Sequence, residues 1–226
     1  MTFSVFGTRP ENSICLPDIA YAVRFNCKDG GGGIFVGGSD PQHRKSNPED
    51  KVDINIIKVS KYFGTMGKTE NVLWIQLFFI PAPTVAPEIL PPNTVCVGYI
   101  KKQSISSLFN TVQSAMNSGE PALGIFALGF QKEVGMSGPY YSVSFNWRER
   151  KTEQENQQLE LIKSFMAERG NKLIDLEGTR MMTCVDGWSS EGVLTLISQV
   201  RDELFLTETE ERALLPAKTQ RRSNGR

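Results

Sequence analysis

The sequence predicts an α+β protein centred on a small five-stranded β-barrel, with an N-terminal extension and a C-terminal helical region. Three observations carry this. Residues 51–150 read as strand, strand, strand, helix, strand, strand. The last two strands of that series form an aromatic hairpin, and beyond residue 150 the apolar spacing changes from two to between three and four. The expected organisation is an extension over 1–50, the barrel over 51–150, an α/β appendage over 151–206 and a disordered basic tail over 207–226.

Each element follows from local chemistry. In the extension, Pro17 opens a short helix expected through Phe25, and the glycines from Gly30 to Gly33 interrupt the chain before Ile34-Phe-Val36. Val52, Ile54 and Ile56 alternate with Asp53 and Asn55, the pattern of a half-buried strand. Gly64 to Glu70 reads as a turn. Val72 to Ile80 is a nearly continuous β-branched and aromatic run, as expected of a strand covered on both faces. Prolines between Pro81 and Pro92 make a stiff connection to a third strand, Thr94 to Ile100. Ser104 is then placed to cap a helix whose stripe is Ile105, Leu108, Phe109, Val112 and Met116.

Leu123 to Lys132 and Pro139 to Arg148 pair across a glycine-containing loop. Tyr141, Val143, Phe145 and Trp147 share one face of the second strand, so one face is core and the other is wet or ligand-facing. Thr152-Glu-Gln-Glu155 is a capping box for a helix with Leu159, Ile162, Phe165 and Met166 inside, stopped by Gly170. Leu173 to Leu176 and Met181 to Val185 read as short strands. A further helix from about Ser190 to Phe205 carries Val193, Leu196, Ile197, Val200 and Leu204, with Asp186 available as its cap.

Composition excludes several functions. With 25 Lys plus Arg against 25 Asp plus Glu, the chain lacks the surplus cation needed to coat duplexes without regard to sequence. That zero is the sum of a slightly basic segment over 1–150 and a slightly acidic one over 151–226. The one histidine, His43, sits in a polar loop, and no convergent acid, base and nucleophile is visible, so no enzyme activity is expected. Cys15, Cys27, Cys96 and Cys184 are scattered without a metal-binding pair, and no metal or organic cofactor is expected. Scattered thiols and the lack of a long apolar run or leader point to a reduced, cytoplasmic location away from membranes. Gly64-Thr-Met-Gly-Lys-Thr69 ends like a phosphate-binding P-loop, but Tyr62 stands where the first glycine belongs and a strand follows instead of a helix.

By element order and the aromatic hairpin Ile125 to Arg150, residues 51–150 resemble the OB-fold single-stranded-DNA-binding proteins, whose helix lies between strands three and four. Pro139-Tyr-Tyr-Ser-Val-Ser-Phe-Asn-Trp-Arg148 also resembles proteins of cyanobacteria and their mobile elements. The OB resemblance implies a groove for single-stranded DNA or RNA in which rings stack bases and cations track phosphates. Its expected residues are Lys61, Tyr62 and Lys68 around the first loop, Tyr99, Lys101 and Lys102 at the end of strand three, and Lys132, Tyr140 and Arg148 on the hairpin. The alternative is a protein-interaction module, an accessory subunit or inhibitor of a larger nucleic-acid-processing complex. The neutral charge and the Pro81 to Pro92 segment motivate it.

Overall fold

The computed structural model describes residues 13–28, 31–135, 138–189, 191–196 and 198–199. Its elements in chain order are β1 (Tyr21–Asn26), β2 (Gly33–Val36), β3 (Val52–Met66), β4 (Thr69–Pro81), β5 (Cys96–Lys101), α1 (Gln103–Met116), β6 (Ile125–Gly135), β7 (Gly138–Arg148), α2 (Glu153–Arg169) and β8 (Met182–Cys184). The fold is mixed α/β. Seven strands form a curled half-barrel sheet in the order β2-β1-β5-β4-β3-β6-β7, and β8 pairs with the far end of β3.

Strand β4 explains the sheet's central position. Ile75, Leu77 and Phe79 enter one core with Val23, Ile54, Phe126 and Phe145, while Phe78 and Ile80 on the other face meet Val95, Val97 and the α2 residues Ile162 and Phe165. Because its two faces feed two cores, its sequence shows no polar alternation. Each such side chain contributes roughly 1.5–3 kcal/mol by leaving water.

Several expectations are corrected. The segment from Pro17 is not a helix: Val23 and Phe25 are buried while Ala22 and Arg24 are exposed, a period of two, and β1 pairs in parallel with β5. Residues 1–50 thus supply two strands of the main sheet instead of packing upon it. Likewise α2 and β8 belong with the unit that runs to Asp186, so residue 150 is no boundary. Leu173 to Leu176 enters no strand. From Gly187 the chain forms a separate unit in which 191–196 are helical and Gly192 N donates to Ser189 Oγ at 3.1 Å. Ser189, not Asp186, therefore serves that helix start. The basic tail over 207–226 and the end of the helix expected to reach Phe205 lie outside the described residues.

Helix α1 also starts differently, with Lys102 at its N-cap and no side-chain cap. Ser104 serves the sheet instead. The outer edge of β7 has no full strand beside it, and its buried amides need acceptors. Tyr141 N donates to Cys27 O at 2.8 Å, Val143 N to Ser104 Oγ at 2.8 Å and Phe145 N to Ser107 Oγ at 3.1 Å. Thr111 Oγ1 returns a bond to Phe145 O at 2.7 Å. Hydroxyls one turn apart on α1 thereby complete the edge of a strand. Phe109 and Met116 remain 41% and 64% exposed, so the apolar stripe is narrower than the spacing suggests.

Removing one hydroxyl tests this arrangement. Ser104→Ala strands the Val143 amide and is expected to cost about 1–3 kcal/mol in urea unfolding, whereas Ser106→Ala on the exposed face should stay within about 0.5 kcal/mol.

Candidate nucleic-acid interface

Where the curled sheet leaves room between the ends of β1 and β5 and the start of β7, it forms a cleft of about 2150 Å³. The β3–β4 hairpin tip makes one wall, and the turn over 174–181 another. Six cations line it, Arg24, Lys28, Lys68, Lys101, Lys102 and Arg180, against the three acids Asp18, Asp175 and Glu177. Among the described residues none of these six cations is in an ion pair. Trp74, Tyr99, Tyr140 and Tyr141 contribute aromatic surface.

The cations are positioned in different ways. Lys101 Nζ donates to Thr69 Oγ1 at 2.6 Å and lies 5.1 Å from the Trp74 ring centroid, so the strand end and the hairpin tip hold it jointly. Burial, and then the charge of Lys102, draw its pKa below the usual lysine value. Lys102 itself has φ 51° and ψ −122°. For a residue other than glycine this conformation costs of order 1 kcal/mol or more. Lys68 stands exposed beyond Gly67, whose φ of 59° turns the hairpin. Lys28 bridges Tyr140 across the mouth between β1 and β7.

Tyr99 is held at the cleft floor. Its hydroxyl donates to Asp175 Oδ2 at 2.8 Å and accepts from Gln76 Nε2 at 2.6 Å, and burial raises its pKa. A Cβ on Gly178 would come within 2.5 Å of that hydroxyl and 2.3 Å of Asp175 Oδ2, so only glycine lets the turn approach so closely. Tyr99 thereby fastens the 174–181 wall, and Asp175 is engaged by it. Cys27, also in the lining, has its thiol pushed up to about 11 by burial.

Of the nine residues expected from sequence, Lys68, Tyr99, Lys101, Lys102 and Tyr140 share this cleft. The other four do not line it. Lys61 and Tyr62 lie on β3 beside β8, with Lys61 Nζ 5.7 Å from the Phe109 ring. The Tyr62 phenol is raised by burial and by the nearby Cys184, Asp186 and Asp175. Lys132 is exposed on β6 opposite Tyr141. Arg148 is committed to structure: its Nη2 lies 2.6 Å from Asp53 Oδ2 and 2.7 Å from Glu155 Oε1. Asp186 accepts from Lys61 N at 2.6 Å. Arg24, Lys28, Tyr141 and Arg180 escaped the sequence reading. The alternation of Val23 and Phe25 with Arg24 was the available signal for the first.

Among the described residues no three His, Cys, Asp or Glu side chains gather as metal ligands, and no helix is long and apolar enough to cross a membrane. No protein-family model, curated protein or solved structure matches the chain.

The structural role of Arg148 gives a pH signature. Its hydrogen bond holds the buried Glu155 carboxyl down to about 2 from an ordinary 4.5, assisted by the Lys151 and Thr152 amides. A folded-state pKa below the unfolded one stabilises at pH above about 4.5, and that contribution is lost as the pH falls toward about 2. The expected loss is about 3 kcal/mol. In Glu155→Gln, urea midpoints measured from pH 6 to about 2 should be lower at the neutral end and lack this part of the decline.

Proposed function

We propose that the chain is a stoichiometric binding protein for single-stranded nucleic acid, with the basic and aromatic cleft as its binding surface. The observation that carries this reading is the set of six cleft cations without carboxylate partners among the described residues, in a chain whose net charge is zero. A local surplus of positive charge within a concave surface concentrates a polyanion without making the whole protein basic. The half-buried rings of Tyr140 and Tyr141 would add stacking that tolerates any base.

An OB-like reading of the barrel is supported by the pairings of β3 with β4, β4 with β5, β3 with β6 and β6 with β7. These are neighbours one and two, two and three, one and four, and four and five of a five-stranded Greek-key barrel. The helix between β5 and β6 also fits. In this chain β1 occupies the side of β5 where the fifth strand of such a barrel would close, which widens the groove.

A second reading, a module that docks on a protein of a nucleic-acid-processing complex, is favoured by one observation. Ile19, Leu176 and Met181, which line the same cleft, are 86%, 79% and 68% exposed.

Titration of DNA and RNA oligonucleotides of about 12 nucleotides, within the range of one OB-like domain, separates the two. Fluorescence anisotropy should rise at low salt, and affinity should fall as salt increases. Tyr140→Ala should weaken binding by about 1–3 kcal/mol, and Lys68→Ala should reduce the log–log salt slope by about 0.7. Flat anisotropy with both polymers at high protein concentration would remove this reading in favour of the protein-docking one.

A further inference from the structure

Successive side chains of a strand point to opposite faces, so Lys101 and Lys102 at the end of β5 would ordinarily diverge. Both nevertheless belong to the lining of one cleft. At Lys102 a corner with φ of 51° and ψ of −122° turns the chain directly into α1. Among the described residues only three besides glycine have positive φ, namely Asn71, Asn93 and Lys102. Asparagine tolerates positive φ in the left-handed helical region through local hydrogen bonding, whereas a ψ of −122° puts Lys102 outside that region, in backbone space that glycine enters freely and lysine does not. Of the three, Lys102 is therefore the position where the local conformation argues against the residue present.

Among the described residues no carboxylate pairs with either ammonium group. Burial, and then the charge of Lys102, hold the Lys101 pKa below its usual value against an opposing effect of Cys27. Lys101 is immobilised by Thr69 and Trp74 while Lys102 is exposed, which leaves one fixed cation and one free to close on a ligand. A tetrahedral phosphate presents several oxygens and suits two point charges approaching from one side. Strain and like-charge proximity concentrated at one concave position are the marks of a preorganised anion site.

We infer that Lys101 and Lys102 form a phosphate subsite that grips one backbone phosphate of the bound strand. The identity of the ligand rests on the function proposed above, whereas the place of the subsite rests on the strained corner. Lys102 is a binding residue kept where glycine would fold more stably.

That statement predicts opposite changes from one substitution. Lys102→Gly should raise the thermal midpoint by about 2–4 °C if about 1 kcal/mol of strain is released. It should also weaken both pyrophosphate, followed by calorimetry, and an oligothymidylate of about 12 nucleotides by about tenfold or more. Lys102→Ala should lose binding without the gain in midpoint, and Lys102→Arg should retain binding. Unchanged affinity of Lys102→Gly for both probes overturns the subsite and leaves the strand-binding function standing. Pyrophosphate binding that depends on Lys102, with no oligonucleotide binding by the parent protein, supports the subsite and overturns the strand. Binding of neither probe by the parent protein overturns both. A midpoint that fails to rise in Lys102→Gly removes the strain argument and overturns the inference as stated.

Discussion

The outer edge of β7 is the constraint around which this fold is arranged. A curled sheet that stops short of closure leaves one strand with buried amides and no partner, and each such amide costs about 1–3 kcal/mol if unsatisfied. Cys27 O meets the first, and the hydroxyls of Ser104 and Ser107 meet the next two. For Ser104 to reach Val143, α1 must begin immediately after β5, which forces a sharp corner at position 102. The corner is thus a requirement of the edge. That lysine occupies it is not, because glycine would make the same turn with less strain.

A second polar assembly holds α2 against the sheet. Arg150 Nη2 donates to Asn55 Oδ1 at 2.6 Å, Asn55 Nδ2 to Gln158 Oε1 at 2.9 Å, and Gln158 Nε2 to Asn93 Oδ1 at 2.8 Å. Arg148 adds its pairs with Asp53 and Glu155 beside this chain. Buried polar groups are tolerated when every member finds a partner, and a network of this kind specifies one docking geometry for a helix whose apolar stripe is short. It also divides the labour among cations. Those at the end of β7 fix the architecture, and those around the cleft make no ion pair among the described residues.

Much of the architecture can be read from the chain itself. The nearly continuous apolar run of β4, the alternating faces of β7 and the capping box of Thr152 and Glu155 each have one simple physical meaning, and the structure realises all three. Strand β1 was hidden because Pro17 resembles a helix start, and because four glycines nearby mask the alternation of Val23 and Phe25. Arg148 shows why site residues are harder than elements. A cation ending an aromatic strand has the same sequence signature whether it meets a phosphate or a carboxylate. Here Asp53, distant in the chain, decides between them. The corner at Lys102 has no sequence signature, since lysine is not a residue that announces a positive φ.

The parallel pairing of β1 with β5 also has a consequence for how the molecule assembles. Tyr21 lies opposite Cys96, so this contact closes a far longer loop than the β6–β7 hairpin, where Gly135 faces Gly138. Loop-closure entropy grows with that separation, and non-local pairings slow folding. The hairpin and the β3–β4 ribbon are the inexpensive early contacts, and β1, made before β5 on the ribosome, must wait for it to emerge. Until it docks, β5 presents an open edge and the cleft has only part of its lining. The proposed binding surface is therefore completed by one of the long-range pairings of the sheet.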